Sequence, residues 1–239
     1  YHIPKTHPAI LAKNSLPLYI EDKLHPKLLN DNIEEIVITV DAILGFEVKP
    51  TSFDFLDKIS PKKRVVLVID ESHSLGVLGE NGFGLFNEIN NKRISKKIMV
   101  SSLGKGLSLS GGIIAGDHIF INELKEESVF VSSSAANPAY LEAYCKAGHI
   151  YETQQKILQE NLNFIHENLI AKKSIKFNRN YPVMYCDNET IYDMLFSHGI
   201  IITNFKYPTY QKMMNRIVIT ANHTKEDLSK LKKILNENI

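Results

Sequence analysis

Short apolar runs alternate with longer polar segments over the first half of the chain. Four runs rich in apolar residues read as strands: Ile33–Val40, Val65–Ile69, Ile98–Ser101 and Gly112–Gly116. The run at Val65–Ile69 is continuously apolar, which is typical of a strand covered on both faces of a parallel sheet. Because long segments separate the runs and no two-residue hairpin signal joins them, the pattern predicts an α/β fold with a mainly parallel sheet.

After Pro138 the spacing of the apolar residues changes to that of a helix. Proline suits the first turn of a helix, and apolar residues then recur on one face as far as Leu169. We expect one long helix here, followed by a small α+β unit. The strands predicted in that unit are Val183–Cys186, Ile200–Thr203 and Arg216–Thr220.

A final helix is predicted to begin after Thr224. Threonine is a good N-cap residue, and Asp227 places an acid in the first turn. The apolar stripe of this helix consists of Leu228, Leu231, Ile234 and Leu235. Together these patterns predict a partial large domain over 1–137, a connecting helix over 138–172 and a small C-terminal α+β domain over 173–239.

Composition and charge exclude several classes of protein. Lys and Arg number 28 against 27 for Asp and Glu, so the net charge of +1 gives no electrostatic reason to expect nucleic acid or an anionic membrane. No apolar run approaches the roughly 18 residues of a membrane span. The two cysteines, Cys145 and Cys186, form no disulfide framework, so we expect a reducing, cytoplasmic environment. Five histidines lack the spacing of metal ligands, so we expect no metal site at them. They are His25, His118, His149, His166 and His198.

Candidate chemistry begins where the second predicted strand ends, in the sequence Asp70-Glu71-Ser72-His73. In open α/β sheets ligands bind at the carboxyl ends of the strands, so we expect Asp70 and His73 at a binding site. The alternative is that Asp70 only caps the following turn, and position alone does not decide between the two.

A single lysine, Lys105, stands among small residues directly after the third predicted strand. Glycines allow close approach, and a desolvated lysine has a lowered pKa that makes its amine nucleophilic, as a Schiff base requires. A phosphate-binding P-loop is excluded, because Met99 and Gly106 stand where it needs glycine and a hydroxyl residue. The Ser-x-x-Lys pattern that begins at Ser102 lacks the companion motifs of penicillin-binding enzymes. The alternative is a loop lysine that faces water.

Arg216 begins an apolar strand in the C-terminal region. Its planar guanidinium can bind a carboxylate through two parallel hydrogen bonds, which makes it a candidate for holding an acidic substrate. A structural ion pair is the alternative at this position.

Taken together, these segments resemble four motifs of the α-oxoamine synthases, which are pyridoxal-phosphate enzymes of aminotransferase fold type I. The first is the block Asp-x-x-His-Ser-x-Gly-x-x-Gly-x-x-Gly-x-Gly, which begins at Asp70 and ends at Gly84. The other three are the lysine block Ser102–Lys105 with Gly111-Gly112 and Ala115-Gly116, the turn with Ser133-Ser134 and Asn137-Pro138-Ala139, and Arg216 ahead of His223. The resemblance implies this fold, with a large domain built on a mainly parallel sheet and a small α+β domain.

The resemblance also implies the cofactor pyridoxal 5'-phosphate and three residues at its reacting end. Lys105 would form the Schiff base and later move protons at the α-carbon of the substrate. Asp70 would pair with the pyridinium nitrogen and keep it protonated, so that the ring withdraws electrons. His73 would form a hydrogen bond with the phenolic oxygen.

Four further residues would bind the phosphate and the substrate. Ser102 would contact the cofactor phosphate, and Ser133 or Ser134 would reach a phosphate in the partner subunit of a homodimer. Arg216 would hold the carboxylate of an amino acid. The implied reaction is the condensation of that amino acid with an acyl-CoA.

Several positions depart from the family pattern. Phe83 stands where the family has arginine, Asn137 replaces the first of two prolines, and the Ser-Met-Asp-Gly block corresponds to 44–47 (Leu-Gly-Phe-Glu). The sequence His7-Pro8-Ala9 resembles a His-Ala-Ser segment that lies well inside the family's enzymes. We therefore expect that the glycine-rich phosphate turn and the aromatic residue that stacks on the cofactor precede this chain, and that this form binds cofactor poorly.

Two other functions share part of this pattern. An ordinary aminotransferase would have the lysine and the aspartate, but we would not expect it to have the glycine block. A catalytically inactive partner subunit would keep the fold, but it has no chemical need for Lys105.

Overall fold

A computed structural model describes residues 1–170, 174–206 and 213–238, and the chain divides into two units, 1–147 and 148–239. The first unit contains a short hairpin and a four-stranded sheet. Its strands are β1 (Tyr19–Ile20), β2 (Lys23–Leu24), β3 (Glu34–Asp41), β4 (Lys63–Asp70), β5 (Ile94–Ser102) and β6 (Gly112–Ala115). Its 3-10 helices are Pro8–Ile10, Pro26–Leu28, Asp54–Lys58 and Glu80–Gly82.

The larger sheet has the strand order β3-β4-β5-β6. The pairs β3–β4 and β4–β5 are parallel, and β6 adds to β5 in the antiparallel direction. The four strands overlap the four apolar runs identified in the sequence, so the prediction of an α/β fold with a mainly parallel sheet is confirmed. The β1–β2 hairpin carries no such run and was not predicted.

Burial explains why β4 is a central strand. Val65, Leu67 and Ile69 are fully buried on one face, and Val66 is buried on the other. In β3, by contrast, the second face is open in the first half of the strand, where Val37 is 49% exposed. The parallel register brings the carboxyl ends of β3, β4 and β5 to one edge of the sheet, which is where a ligand site is expected.

The helical stretch after Pro138 consists of two helices, so the prediction of one continuous helix is wrong. The structure has α1 (His118–Glu126), α2 (Ser128–Val131) and α3 (Pro138–Lys146) in the first unit, and α4 (Gly148–Asn168) in the second. The break falls at Ala147, the C-cap of α3, and α4 begins at the next residue, Gly148. Residues 171–173, which contain the predicted end of this helix and the start of the small domain, lie outside the described residues.

The second unit has an antiparallel sheet of order β7-β8-β10-β9. Its elements after α4 are β7 (Ile175–Asn178), β8 (Tyr181–Cys186), α5 (Ile191–Ser197), β9 (Thr203–Lys206), β10 (Met213–Val218) and α6 (Lys225–Asn238). The prediction of a strand over 200–203 is wrong in its position, because Ile200 and Ile202 pack into the core of the unit and pairing begins only at Thr203.

Helices α4 and α6 supply much of the core of this unit. Leu162 and Ile165 of α4 are buried together with Leu228 and Leu235 of α6. The buried Asn161 of α4 donates hydrogen bonds to the carbonyl oxygens of the loop before α6. None of the helices in the described part of the chain combines the length and the apolar character that a membrane crossing requires.

Candidate active site

Three strand ends form the floor of the candidate site in the first unit. Asp41 ends β3, Asp70 ends β4 and Ser102 ends β5. Asp41 and Asp70 are register partners across the parallel pair, so their side chains leave the sheet on the same face. The Asp70 Oδ1 atom accepts a hydrogen bond of 2.8 Å from the Ser72 amide, which fixes the turn after β4.

Lys105 and His73 meet above this floor. The Nζ atom of Lys105 lies 3.1 Å from Nε2 of His73. The two turns that carry them are joined by the Ser102 amide, which donates a hydrogen bond of 2.8 Å to Oγ of Ser72. The structure therefore brings together four of the residues singled out in the sequence, namely Asp70, His73, Ser102 and Lys105.

The desolvation of Lys105 that we expected from its surroundings is absent in this structure. The residue is exposed, and both of its neighbours are glycines. Its approach to His73 therefore depends on the path of the backbone.

Glycine residues set that path. Gly76 has a positive φ of 84°, and a Cβ there would lie 2.9 Å from the carbonyl carbon of Gly106. A Cβ at Gly106 would lie 2.5 Å from the carbonyl oxygen of Leu75. The two backbones touch with no room for a side chain, which gives a physical reason for glycine at both positions.

Gly84, the last glycine of the block, lies against Glu71, a fully buried carboxyl group that the sequence analysis did not single out. Its carboxyl group accepts hydrogen bonds from the Ser74 hydroxyl and from the Leu85 amide. A Cβ at Gly84 would lie 2.7 Å from Oε2 of Glu71. Burial raises the pKa of Glu71. Glu71 thus holds the loop over 76–84 against the end of β4.

Asp41 is a second carboxyl group of the site that sequence reasoning missed. It is only 4% exposed, and its Oδ2 atom accepts a hydrogen bond of 2.7 Å from the His7 amide. Burial raises the pKa of Asp41 to about 7; the His7 amide and the charge of Lys105 oppose that change, and the charge of Asp70 adds to it. Asp41 follows the apolar run Ile33–Val40 just as Asp70 follows Val65–Ile69, but the sequence does not show that Asp41 is buried.

Ser133 and Ser134 lie in the exposed segment after α2. Oγ of Ser133 donates a hydrogen bond of 2.6 Å to the Val129 carbonyl oxygen. This segment approaches the base of the lysine loop, because the Ala136 Cβ atom lies 2.8 Å from where a Cβ of Gly111 would be. The structure thus places the segment of these serines beside the loop that carries Lys105.

Arg216 belongs to the second unit. It lies on β10, opposite Tyr185 of β8 and Thr203 of β9, and its guanidinium carbon is 5.8 Å from the centre of the Phe205 ring. Its Nε atom is buried and, among the described residues, has no hydrogen-bond partner. No ion pair with Arg216 occurs within those residues either. Within the described residues, the ion pair of the structural alternative is therefore not seen, and Nε of Arg216 is a buried donor.

The donor set at the floor of the first unit fits pyridoxal phosphate. A carboxylate suits its basic ring nitrogen, an imidazole suits its phenolic oxygen and a primary amine suits its aldehyde. Asp70, His73 and Lys105 supply these three groups at one edge of the sheet, and the glycines at positions 76 and 106 keep the lysine loop close to it.

Comparison with known proteins identifies the family of this chain. The family model described as aminotransferase class I and II matches residues 51–235. The 8-amino-7-oxononanoate synthase of Petrotoga mobilis is 29% identical over 227 residues, which cover 87% of this chain and 57% of the relative. The chain thus spans little more than half the length of the curated relatives it matches.

Solved structures share the fold. The crystal structure of 8-amino-7-oxononanoate synthase from Francisella tularensis superposes with a TM-score of 0.65 at 27% identity, over 84% of this chain and 62% of that one. A serine palmitoyltransferase from S. paucimobilis that contains bound PLP superposes with a TM-score of 0.70 at 13% identity, over 85% of this chain and 54% of that one. The second likeness shows the fold alone.

Proposed function

The chain belongs to the aminotransferase class I and II family, and we propose that it acts as a pyridoxal-phosphate-dependent acyltransferase of the α-oxoamine synthase type. In this proposal it condenses an amino acid with an acyl-CoA. The observation that carries the proposal is the placement of the Lys105 amine 3.1 Å from the His73 imidazole, at the sheet edge where Asp70 ends its strand.

Each residue at this edge has a chemical task that its position supports. When bound, pyridoxal phosphate supplies an aldehyde that combines with amines and a ring that withdraws electrons from the α-carbon of an amino acid. Asp70 would hold a proton on the ring nitrogen, and His73 would donate a hydrogen bond to the phenolic oxygen. Lys105 would be the amine that meets the aldehyde and, once free, would move a proton at the substrate α-carbon. Ser102 would contact the phosphate.

Arg216 binds the carboxylate of the amino acid. Its buried Nε–H has no partner among the described residues, and such a donor loses little on binding an anion, since its desolvation cost is already met in the folded chain. Phe205 lies beside the guanidinium and limits its motion. The choice of an acyl-CoA as second substrate rests on the glycine block and on the names of the relatives.

We propose a homodimer in the cytoplasm as the working form. The segment before Ser133 and Ser134 exposes apolar side chains, with Ile119 at 61%, Val129 at 76% and Val131 at 69% exposure. A partner subunit that covers these residues would bring the two serines to its own cofactor phosphate. Both described cysteines are free thiols, which suits a reducing compartment.

The test uses the full-length protein incubated with pyridoxal phosphate, reduced with borohydride and digested for mass spectrometry. We expect the cofactor on the peptide that contains Lys105, and no label in Lys105→Ala. The exposed Lys92 provides a matched control, and Lys92→Ala should label like the unchanged protein. Release of free CoA that depends on an amino acid would then establish the acyl transfer. Amino-group exchange with a 2-oxo acid and no CoA release would favour an aminotransferase, and no labelling at all would favour an inactive partner subunit.

A further inference from the structure

Asp41 lies beside Asp70, on the neighbouring strand at the same edge of the sheet. The two residues are register partners, and both carboxyl groups leave the same face of the sheet. The charged groups that act on the Asp41 carboxyl are Asp70 from β4 and Lys105 from the loop after β5, and the N-terminal segment contributes the His7 amide. Asp41 thus interacts electrostatically with both Asp70 and Lys105, the groups that would contact the ring nitrogen and the aldehyde of the cofactor.

We propose that Asp41 is a positioning residue that acts through Asp70. Its carboxylate places a second negative charge beside Asp70 and so strengthens the binding of a cationic ring nitrogen to Asp70. This inference rests on the proposed function, since it requires the cofactor nitrogen to lie against Asp70.

The physical argument begins with burial. Two neighbouring carboxylates in a poorly hydrated place repel each other unless positive charge lies close to them. Without a cation on Asp70, the buried Asp41 gains a proton easily, and its pKa is raised to about 7, chiefly by burial. A protonated ring nitrogen on Asp70 adds the missing positive charge, so we expect its binding to favour the ionised form of Asp41.

This coupling works in both directions. If binding of a cation favours ionised Asp41, then ionised Asp41 must favour binding of the cation by the same factor. The affinity advantage that Asp41 gives should therefore be absent well below pH 7 and present above it. The Asp41 carboxylate and a ring nitrogen bound to Asp70 would be separated by the Asp70 side chain. At that separation we expect ionised Asp41 to raise the affinity about tenfold.

A purely structural role is the alternative. Asp41 also anchors the N-terminal segment by accepting the His7 amide hydrogen bond. Asp41→Asn separates the two roles, because the asparagine side-chain oxygen can still accept that bond but carries no charge. Asp41→Glu keeps the charge.

The experiment measures the binding of pyridoxine 5'-phosphate to the full-length protein across neutral pH. This compound carries the ring nitrogen but has an alcohol in place of the aldehyde, so it cannot react with Lys105. For Asp41→Asn we expect the affinity of the unchanged protein below pH 7 and a loss of about tenfold above it. We expect Asp41→Glu to keep most of the affinity, and Asp57→Asn, which removes an exposed carboxylate elsewhere in the unit, to have no effect.

The outcomes separate the two proposals. Equal affinity of Asp41→Asn and the unchanged protein at every pH would overturn the inference and leave the proposed function standing. A uniform loss at all pH values would also overturn it, since that result marks a structural role. Failure of the unchanged protein to bind the compound would overturn the proposed function and this inference with it. Should Asp41→Asn not fold, carboxyl ¹³C NMR of the unchanged protein decides: the Asp41 pKa must fall when the compound binds, and an unaltered pKa refutes the inference.

Discussion

The Gly106 backbone lies so close to Leu75 that a Cβ at position 106 would be 2.5 Å from the Leu75 carbonyl oxygen. This contact joins the loop after β5 to the loop after β4, with Lys105 on one side and His73 on the other. The position of the Lys105 amine therefore depends on a packing of backbone on backbone, in which no side chain can be accommodated.

Replacement of Gly106 by alanine should displace the lysine loop. The new methyl group meets a backbone oxygen that cannot move aside, so we expect a loss of about 1–3 kcal/mol in the free energy of unfolding and a larger loss in cofactor attachment. Gly104→Ala is the matched control, because its Cβ would make ordinary contacts at 3.5 Å. Urea denaturation and borohydride labelling of Lys105 measure both effects. Equal behaviour of the two variants would contradict the assigned role of this contact.

The N-terminus of α6 offers a second prediction, which concerns stability. The Thr224 hydroxyl oxygen accepts a hydrogen bond of 3.2 Å from the Asp227 amide, and Oδ2 of Asp227 accepts one of 2.9 Å from the Thr224 amide. Thr224→Ala removes half of this reciprocal cap and should lower the free energy of unfolding by about 1 kcal/mol.

The matched control for this cap is Thr190, which precedes α5 but forms no side-chain bond to that helix. Thr190→Ala should therefore change the denaturation midpoint less than Thr224→Ala. The reverse order would show that the cap of α6 contributes little to the stability of the second unit.

Most of the first unit could be predicted from the sequence because its strands are strongly apolar. The continuous apolar run at Val65–Ile69 predicts a strand covered on both faces, and the structure has buried residues on both faces of this strand. Prediction failed where the strands contain no apolar run, as in the short β1–β2 hairpin. It also failed at Ala147, the single residue that separates α3 from α4 within a continuous apolar stripe.

The candidate site was partly predictable for a related reason. Asp70 and His73 follow an apolar strand, and Lys105 follows the next, so topology alone brings their turns to one edge. Glu71 and Asp41 were missed because their importance comes from burial, which adjacent residues do not reveal. Whether a carboxyl group faces water or a packed loop depends on contacts with residues such as Leu85 and His7 that are distant in sequence.

Buried Asp41 also predicts how stability depends on pH. Its pKa is raised from 3.8 to about 7 in the folded chain, so the folded state holds a proton that the unfolded state has lost between these values. The contribution of this group is fully present below pH 3.8 and is lost as the pH rises through about 7. The loss amounts to at most about 4 kcal/mol, at about 1.4 kcal/mol per pH unit.

Asp41→Asn removes this dependence. Its free energy of unfolding, measured by urea denaturation in steps of pH, should fall less than that of the unchanged protein between mildly acidic and neutral pH. Asp57→Asn, an exposed change of the same kind, should keep the original slope. Parallel curves for Asp41→Asn and the unchanged protein would contradict the raised pKa of the buried Asp41 carboxyl.

Arg216 should show opposite effects on stability and on substrate binding. Its buried Nε–H has no partner among the described residues, and a buried donor without a partner costs about 1–3 kcal/mol. We therefore expect Arg216→Met to leave the melting temperature of the substrate-free protein unchanged or higher, while the KM for the amino acid rises steeply. Arg216→Lys keeps the charge but loses the planar fork, so its KM should lie between that of the unchanged protein and that of Arg216→Met. The exposed Arg179, whose guanidinium bonds Asn163, provides the control, and Arg179→Met should leave the KM unchanged. An unaltered KM in Arg216→Met would exclude this arginine as the carboxylate-binding group.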